Sequence, residues 1–180
     1  SWKVARIRQV VPRVGVGVVV NPSSYFADGG VPFLHGSNVQ EGWIDLSNVK
    51  RMSRADSETL WRSKLETGDV VVVRAGFPGR AAAVTADLAG ANCASVLILK
   101  RSRVLLPEYL VMCLNSPVCR GQVQAAQYGA AQEQINVSDI VDFVLPLPPR
   151  ADQAAAVDEA ATRRQLLDRT TVALRAQVNL

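Results

Sequence analysis

The chain has 180 residues, 48% of them hydrophobic, enough for one ordinary domain with a packed core plus an appendage. Twenty Lys and Arg oppose sixteen Asp and Glu, a formal net charge of +4, so a polyanionic partner is permitted but not demanded. Cys93, Cys113 and Cys119 form no C-x-x-C pair and His35 is the single histidine, which argues against a metal centre and for buried free thiols.

No apolar run reaches about eighteen residues and no charged-then-apolar leader is visible, so the expectation is a reducing, cytoplasmic setting with no membrane contact. Residues 1–11, SWKVARIRQVV, alternate Trp2, Val4 and Ile7 imperfectly with basic side chains and read as a strand or a short amphipathic turn. The pair Gly15 and Gly17 in VGVGVVV mimics the opening of a dinucleotide-binding loop. That loop must enter a helix, whereas β-branched residues and then Asn21-Pro22 follow. Asn21 to Tyr25 is faintly like the Asn-Pro-Pro-Tyr segment with which amino-methyltransferases hold adenine. The second proline is missing, and a turn between strands is expected.

In residues 29–46, Val31, Phe33 and Leu34 suit a short strand, Gly36-Ser37-Asn38-Val39 a polar break, and Gly42-Trp43-Ile44-Asp45 a tight return. His35 has no serine or cysteine nucleophile pattern beside it and reads as a surface or turn histidine. Residues 48–66 are the most basic and most helix-like part of the body, with Lys50, Arg51, Arg54, Arg62 and Lys64, and Ser57 as a capping candidate. Such a run is a solvated face or, with Ser53, Ser57 and Trp61 interleaved, a surface that tracks phosphates.

Val70 to Val73 is a continuous β-branched run suited to a strand buried on both faces. It leads into Ala75-Gly76-Phe77-Pro78-Gly79, a tight loop flanked by Arg74 and Arg80. No Gly-Lys-Ser/Thr is present and no helix follows immediately, so the loop is no phosphate cradle. Arginine forks suit guanine edges or bidentate phosphate contact. Two strands, AAAVTAD and NCASVLILK, are expected around a turn at Gly90, then a helix over 107–127 broken at Asn115-Ser116-Pro117, with Tyr109, Leu110, Met112, Cys113 and Leu114 on its packing side.

The loop from Tyr128 to Asn136 carries Gln132, Gln134 and Asn136, after Gln127, and these amides both donate and accept, as base edges require. Ile140, Phe143, Val144, Leu145 and Leu147 form a strand-like run ended by Pro146, Pro148 and Pro149, and Asp152 stands where a helix N-cap belongs. From Val157 the 3-4 spacing runs Ala160, Arg164, Leu167, Thr171, Leu174 and Val178, so the apolar seam at Val157, Ala160, Leu167, Leu174 and Val178 is interrupted by polar positions. About 27 residues at about 1.5 Å each make a rod of roughly 40 Å, on the order of 12 base pairs. A rod that cannot bury its own seam implies a partner helix.

Three segments carry a family resemblance. GGVPFLHGSNVQEGWIDL, GDVVVVRAGFPGR and the Gln-rich loop ending in LPLPPRADQ resemble, in the expected order, the recognition-domain motifs and spacer-helix start of specificity (S) subunits of type I restriction-modification systems. The likeness covers nearly the whole chain. It implies an α+β fold: a β-rich target-recognition domain with a few helices over 1–149, then one long C-terminal helix over 150–180 that pairs as a coiled coil. It further implies a non-catalytic module without cofactor or metal. The module would read one half of a split site in double-stranded DNA and dock a methyltransferase subunit, and through it a restriction subunit. This chain is half of the usual two-domain plan, which leaves open a fragment, a half-subunit that pairs with a second copy of itself or with a second recognition half, and the recognition domain of a larger fused enzyme. The implied DNA-contacting residues are Ser37, Asn38, Gln40, Lys50, Arg51, Arg54, Arg62, Lys64, Arg74, Phe77, Arg80, Tyr128, Gln132, Gln134 and Asn136. The competing expectations are a DNA adenine methyltransferase fragment using Asn21 to Tyr25, and an adaptor that binds only protein.

Overall fold

In the computed structural model, which describes residues 2–19, 22–128 and 134–178, the chain runs through nine strands and six helices among the described residues. In order these are β1 (Lys3–Arg6), α1 (Ile7–Val10), β2 (Val14–Val16), β3 (Phe26–Leu34), β4 (Lys50–Met52), α2 (Arg54–Thr59), β5 (Val70–Val73), β6 (Ala81–Ala83), β7 (Asn92–Cys93), β8 (Val96–Leu99), α3 (Pro107–Leu114), α4 (Pro117–Gln127), α5 (Val137–Ile140), β9 (Val144–Leu147) and α6 (Arg150–Val178). The mixed α+β architecture with a long final helix matches the expectation. Among the described residues no helix is long and apolar enough to cross a membrane.

The valine run is the centre. β5 lies inside a four-stranded sheet of order β2-β8-β5-β6, antiparallel to both neighbours, with Val70 opposite Leu99 and Val73 opposite Val96. Side chains alternate between faces along a strand, so Val70 and Val72 enter a core with Leu97, Leu99, Tyr109, Leu110 and Ile140. Val71 and Val73 enter a second core with Leu34, Leu65, Leu88 and Ile98. Burying four valines removes apolar surface worth roughly 6 to 12 kcal/mol before entropy is subtracted, so this strand organises both layers. Asp69, fully buried just before β5, is satisfied by Lys100 Nζ at 2.6 Å and by the backbone N–H groups of Glu66 and Arg101, which ties the start of β5 to the end of β8.

Several expected elements fall elsewhere. Residues 48–66 are not one helix: Lys50–Met52 is a strand because buried Met52 pairs with Val31 of β3, and α2 is only six residues long. Its N-cap is Ser53, whose Oγ accepts from Asp56 N–H at 3.1 Å. Ser57 is instead buried and donates to Asn92 Oδ1. NCASVLILK is two strands in two sheets, because the chain turns at Ser95 with φ 55° to pass from β7 to β8. The final helix starts at Arg150, which makes Asp152 a first-turn residue, not the cap. The break at Asn115-Ser116-Pro117 is present, with Ser116 capping α4.

The root of α6 belongs to the body. Gln153 is fully buried; its Oε1 accepts from Leu106 N–H at 2.9 Å, and its Nε2 donates to the carbonyls of Val104 at 2.9 Å and Pro148 at 3.0 Å. Ala156 and Val157 are partly buried and pack against the first core. Ala160 and Leu167 are exposed, whereas the side chains of Leu174 and Val178 lie outside the described residues.

Candidate nucleic-acid interface

Three segments distant in sequence meet where β5 ends. Arg74, immediately after β5, donates from Nη2 to Asn136 Oδ1 at 2.7 Å and from Nε to the Ile135 carbonyl at 3.3 Å. Ile135 N–H donates back to the Arg74 carbonyl, and Ala75 bridges Gln134. Residues 134–136 are thereby stitched onto the glycine-rich loop. That loop turns at Gly76 and Gly79, with φ of 81° and 91°, values that side-chain-bearing residues adopt only with strain. At its far side Arg80 lies 3.9 Å over the ring of Phe77 and donates from Nη1 to Gln40 Oε1 at 3.4 Å, while Gln40 Nε2 donates to the Ser37 carbonyl.

Ser37, Gln40, Arg74, Phe77, Arg80, Gln134 and Asn136 are therefore gathered, and Phe77 is 63% exposed. Lys50 is paired across from Phe33 in the β4-β3-β7 sheet, near enough to His35 for its charge to act on that imidazole. His35 meets Phe33 and Phe26 edge-on, with ring centroids at 5.2 and 5.8 Å. Burial, aided by the Lys50 charge, pushes this imidazole below its ordinary 6.5.

Other expected contacts do not join this cluster. Asn38 is buried: its Oδ1 accepts from His35 N–H and its Nδ2 donates to the Asp45 carbonyl, so it builds the turn and presents no amide outward. Arg51 donates to the Gly30 carbonyl at 2.9 Å, and Lys64 is ion-paired with Glu58. Arg62 stacks on Trp61 beside β2, at the sheet edge opposite β6 and Arg80. Arg54 is exposed on α2, Tyr128 is 93% exposed at the end of α4, and Gln132 lies outside the described residues. Of the methyltransferase-like segment, Pro22–Tyr25 is a single 3-10 turn and Asn21 lies outside the described residues. Among the described residues no group of three His, Cys, Asp or Glu could hold a metal, and burial raises the thiols of Cys113 and, to about 11, Cys119.

The glycine-rich loop, residues 76–80, also lines a groove of about 310 Å³ together with Glu41 and with Arg120, Gln124 and Gln127 of α4. Sequence reasoning assigned this helix to packing. The i, i+4, i+7 spacing of Arg120, Gln124 and Gln127, flanked by buried Cys119 and Val123, was the available signal.

No protein-family model matches the chain. The specificity subunit of the Escherichia coli type I restriction enzyme EcoBI is 26% identical over 137 residues, covering 75% of this chain and 28% of the relative. That of EcoKI, from Escherichia coli strain K12, is 30% identical over 135 residues, covering 71% and 29%. The chain is related to the specificity subunits of type I restriction enzymes. It spans less than a third of the length of these curated specificity subunits. The fold agrees. The HsdS subunit of Thermoanaerobacter tengcongensis superposes with a TM-score of 0.67 at 20% identity, over 98% of this chain and 45% of that one. A chain from a structure of type I restriction-modification complex assembly and conformational transition gives 0.66 at 20%, covering 98% and 42%, and the type I restriction-modification S subunit from M. genitalium gives 0.62 at 9%, covering 93% and 40%.

Proposed function

We propose that the chain is a non-catalytic, sequence-reading module of a type I or type I-like restriction-modification enzyme. Its gathered loops enter the major groove of one half of a bipartite DNA site, with Lys50 and the exposed Arg54 holding phosphates. The distal part of α6 pairs with a second helix, from another recognition half or a second copy, and sets the separation of the two half-sites. A methyltransferase subunit, which carries the S-adenosylmethionine, docks on that assembly and links it to a restriction subunit.

The observation that carries this reading is convergence. Gln40 reaches Arg80 across 40 residues of sequence and Arg74 reaches Asn136 across 62, so amides and guanidinium forks from three segments crowd one end of one sheet. Amides and arginines are the side chains that discriminate base edges. Nothing in ordinary packing requires them to share a surface.

The test uses the full chain and a randomised duplex pool, with recovered sequences titrated against scrambled controls. Arg80→Ala should lose roughly 1 to 3 kcal/mol on the recovered sequence and little on the scrambled one, whereas Lys50→Ala should weaken both about equally and flatten the salt dependence. Equal effects of Arg80→Ala on both duplexes would remove the assignment of this face.

A further inference from the structure

Two consecutive residues of the 39–44 turn each hold an arginine. Gln40 Oε1 accepts from Arg80 Nη1 at 3.4 Å, and Glu41 Oε1 accepts from Arg120 Nη2 at 2.7 Å. The turn itself is braced: Gly42 N–H donates to the Ala81 carbonyl at 2.9 Å, Gln40 N–H to the Trp43 carbonyl, and Val39 bridges Ile44. Both guanidiniums line the same groove, one from the glycine-rich loop and one from α4.

The helix is fixed against the loop rather than free to drift. A Cβ built on Gly79 would lie 2.8 Å from Val123 Cγ2, so loop and helix are in van der Waals contact with no side chain between them. Asn115, at the base of the groove, accepts from Ala81 N–H at 3.0 Å and donates to the Ala81 carbonyl at 2.9 Å, closing the edge of β6 against the helical pair. Arg120 is therefore carried on a rigid element.

The Glu41 contact has little value as a stabiliser. Its partners are 45% and 53% exposed, and pairs of that kind contribute almost nothing to folding. Orientation is what it supplies: a carboxylate on one Nη leaves the remaining N–H donors of the fork free for a second planar acceptor pair, and guanine presents O6 and N7 in that geometry.

Resting on the DNA-reading function above, we propose that Arg120 is a second base-reading residue beside Arg80, directed at a guanine, and that Glu41 is the positioning residue that aims it. The α4 wall thus joins the loops as part of the recognition surface.

The experiment compares the full-length chain with Arg120→Lys, Glu41→Gln and Arg80→Ala on the same randomised duplex pool. Arg120→Lys keeps the charge but not the fork. It should hold affinity for scrambled duplex within about twofold while discrimination at one G·C pair falls on the order of tenfold or more. Glu41→Gln should lose discrimination at that same pair, while its scrambled-duplex affinity stays level or rises with the carboxylate gone. A Arg120→Lys profile identical to wild type, alongside an altered Arg80→Ala profile, overturns this inference and leaves the recognition function standing. Discrimination lost by Glu41→Gln at a pair that Arg120→Lys leaves intact overturns the positioning role. A wild-type chain that enriches no sequence overturns both.

Discussion

Replacing Gln153 by Ala probes how the lever arm of α6 is fixed to the body. The amide makes three hydrogen bonds at full burial, and Ala strands the Leu106 N–H and the Val104 and Pro148 carbonyls. Each bond contributes about 0.5–1.5 kcal/mol net, and each buried group left without a partner costs about 1–3 kcal/mol. The carbonyl of buried Pro148 and the N–H of half-buried Leu106 bear most of that cost and exposed Val104 rehydrates, so the expected loss is about 3–4 kcal/mol. At a few degrees per kcal/mol for a protein of this size, the midpoint falls on the order of 10 °C. Urea denaturation followed by circular dichroism measures it. Gln153→Glu preserves size but turns the donor into an acceptor facing two carbonyls. Burial raises the folded-state pKa of the new carboxyl, so this variant should be damaged at pH 7 and regain stability as acid protonates it. A loss below about 1 kcal/mol for Gln153→Ala would refute the latch.

Three further outcomes follow from the same geometry. Asn38→Ala should destabilise the fold by about 1–2 kcal/mol in a denaturant titration, because two half-buried backbone groups lose their partner. His35, the single histidine, should titrate by proton NMR below 6.5. Its folded pKa being depressed, its contribution is present above the unfolded pKa and disappears as pH falls through the folded one, an acid sensitivity that His35→Gln should remove. Leu167→Asp, at a 69% exposed position, should abolish any self-association seen by sedimentation without lowering the melting midpoint, whereas Val157→Asp should lower the midpoint.

Local chemistry made much of this fold legible. The four valines of β5, the Ser116-Pro117 helix restart and the proline-bounded entry to α6 each speak through propensities that tertiary contacts reinforce. Residues 48–66 misled because their charges suit a helix, while the strand at Lys50–Met52 exists only through Met52 pairing with β3, a partner invisible to local pattern. Ser53-x-x-Asp56 did advertise its cap, and Ser57 was preferred wrongly. The glycine-rich loop, Gln40 and the 134–136 segment were each identifiable by residue type. Their meeting point was not, since hydrogen bonds across 40 and 62 residues leave no periodicity behind. Asn38 and Gln153 show the converse: chemically identical amides serve the turn and the helix root because burial, not residue type, decides their use.

The most direct measurement is an amide chemical-shift map of the labelled chain titrated with a duplex recovered from the randomised pool. The account requires the largest changes at 37–41, 74–80 and 134–136, with the β1 and β9 pair undisturbed. Shifts confined to the β1–β9 end, with the Arg74 to Arg80 loop unmoved, would contradict it.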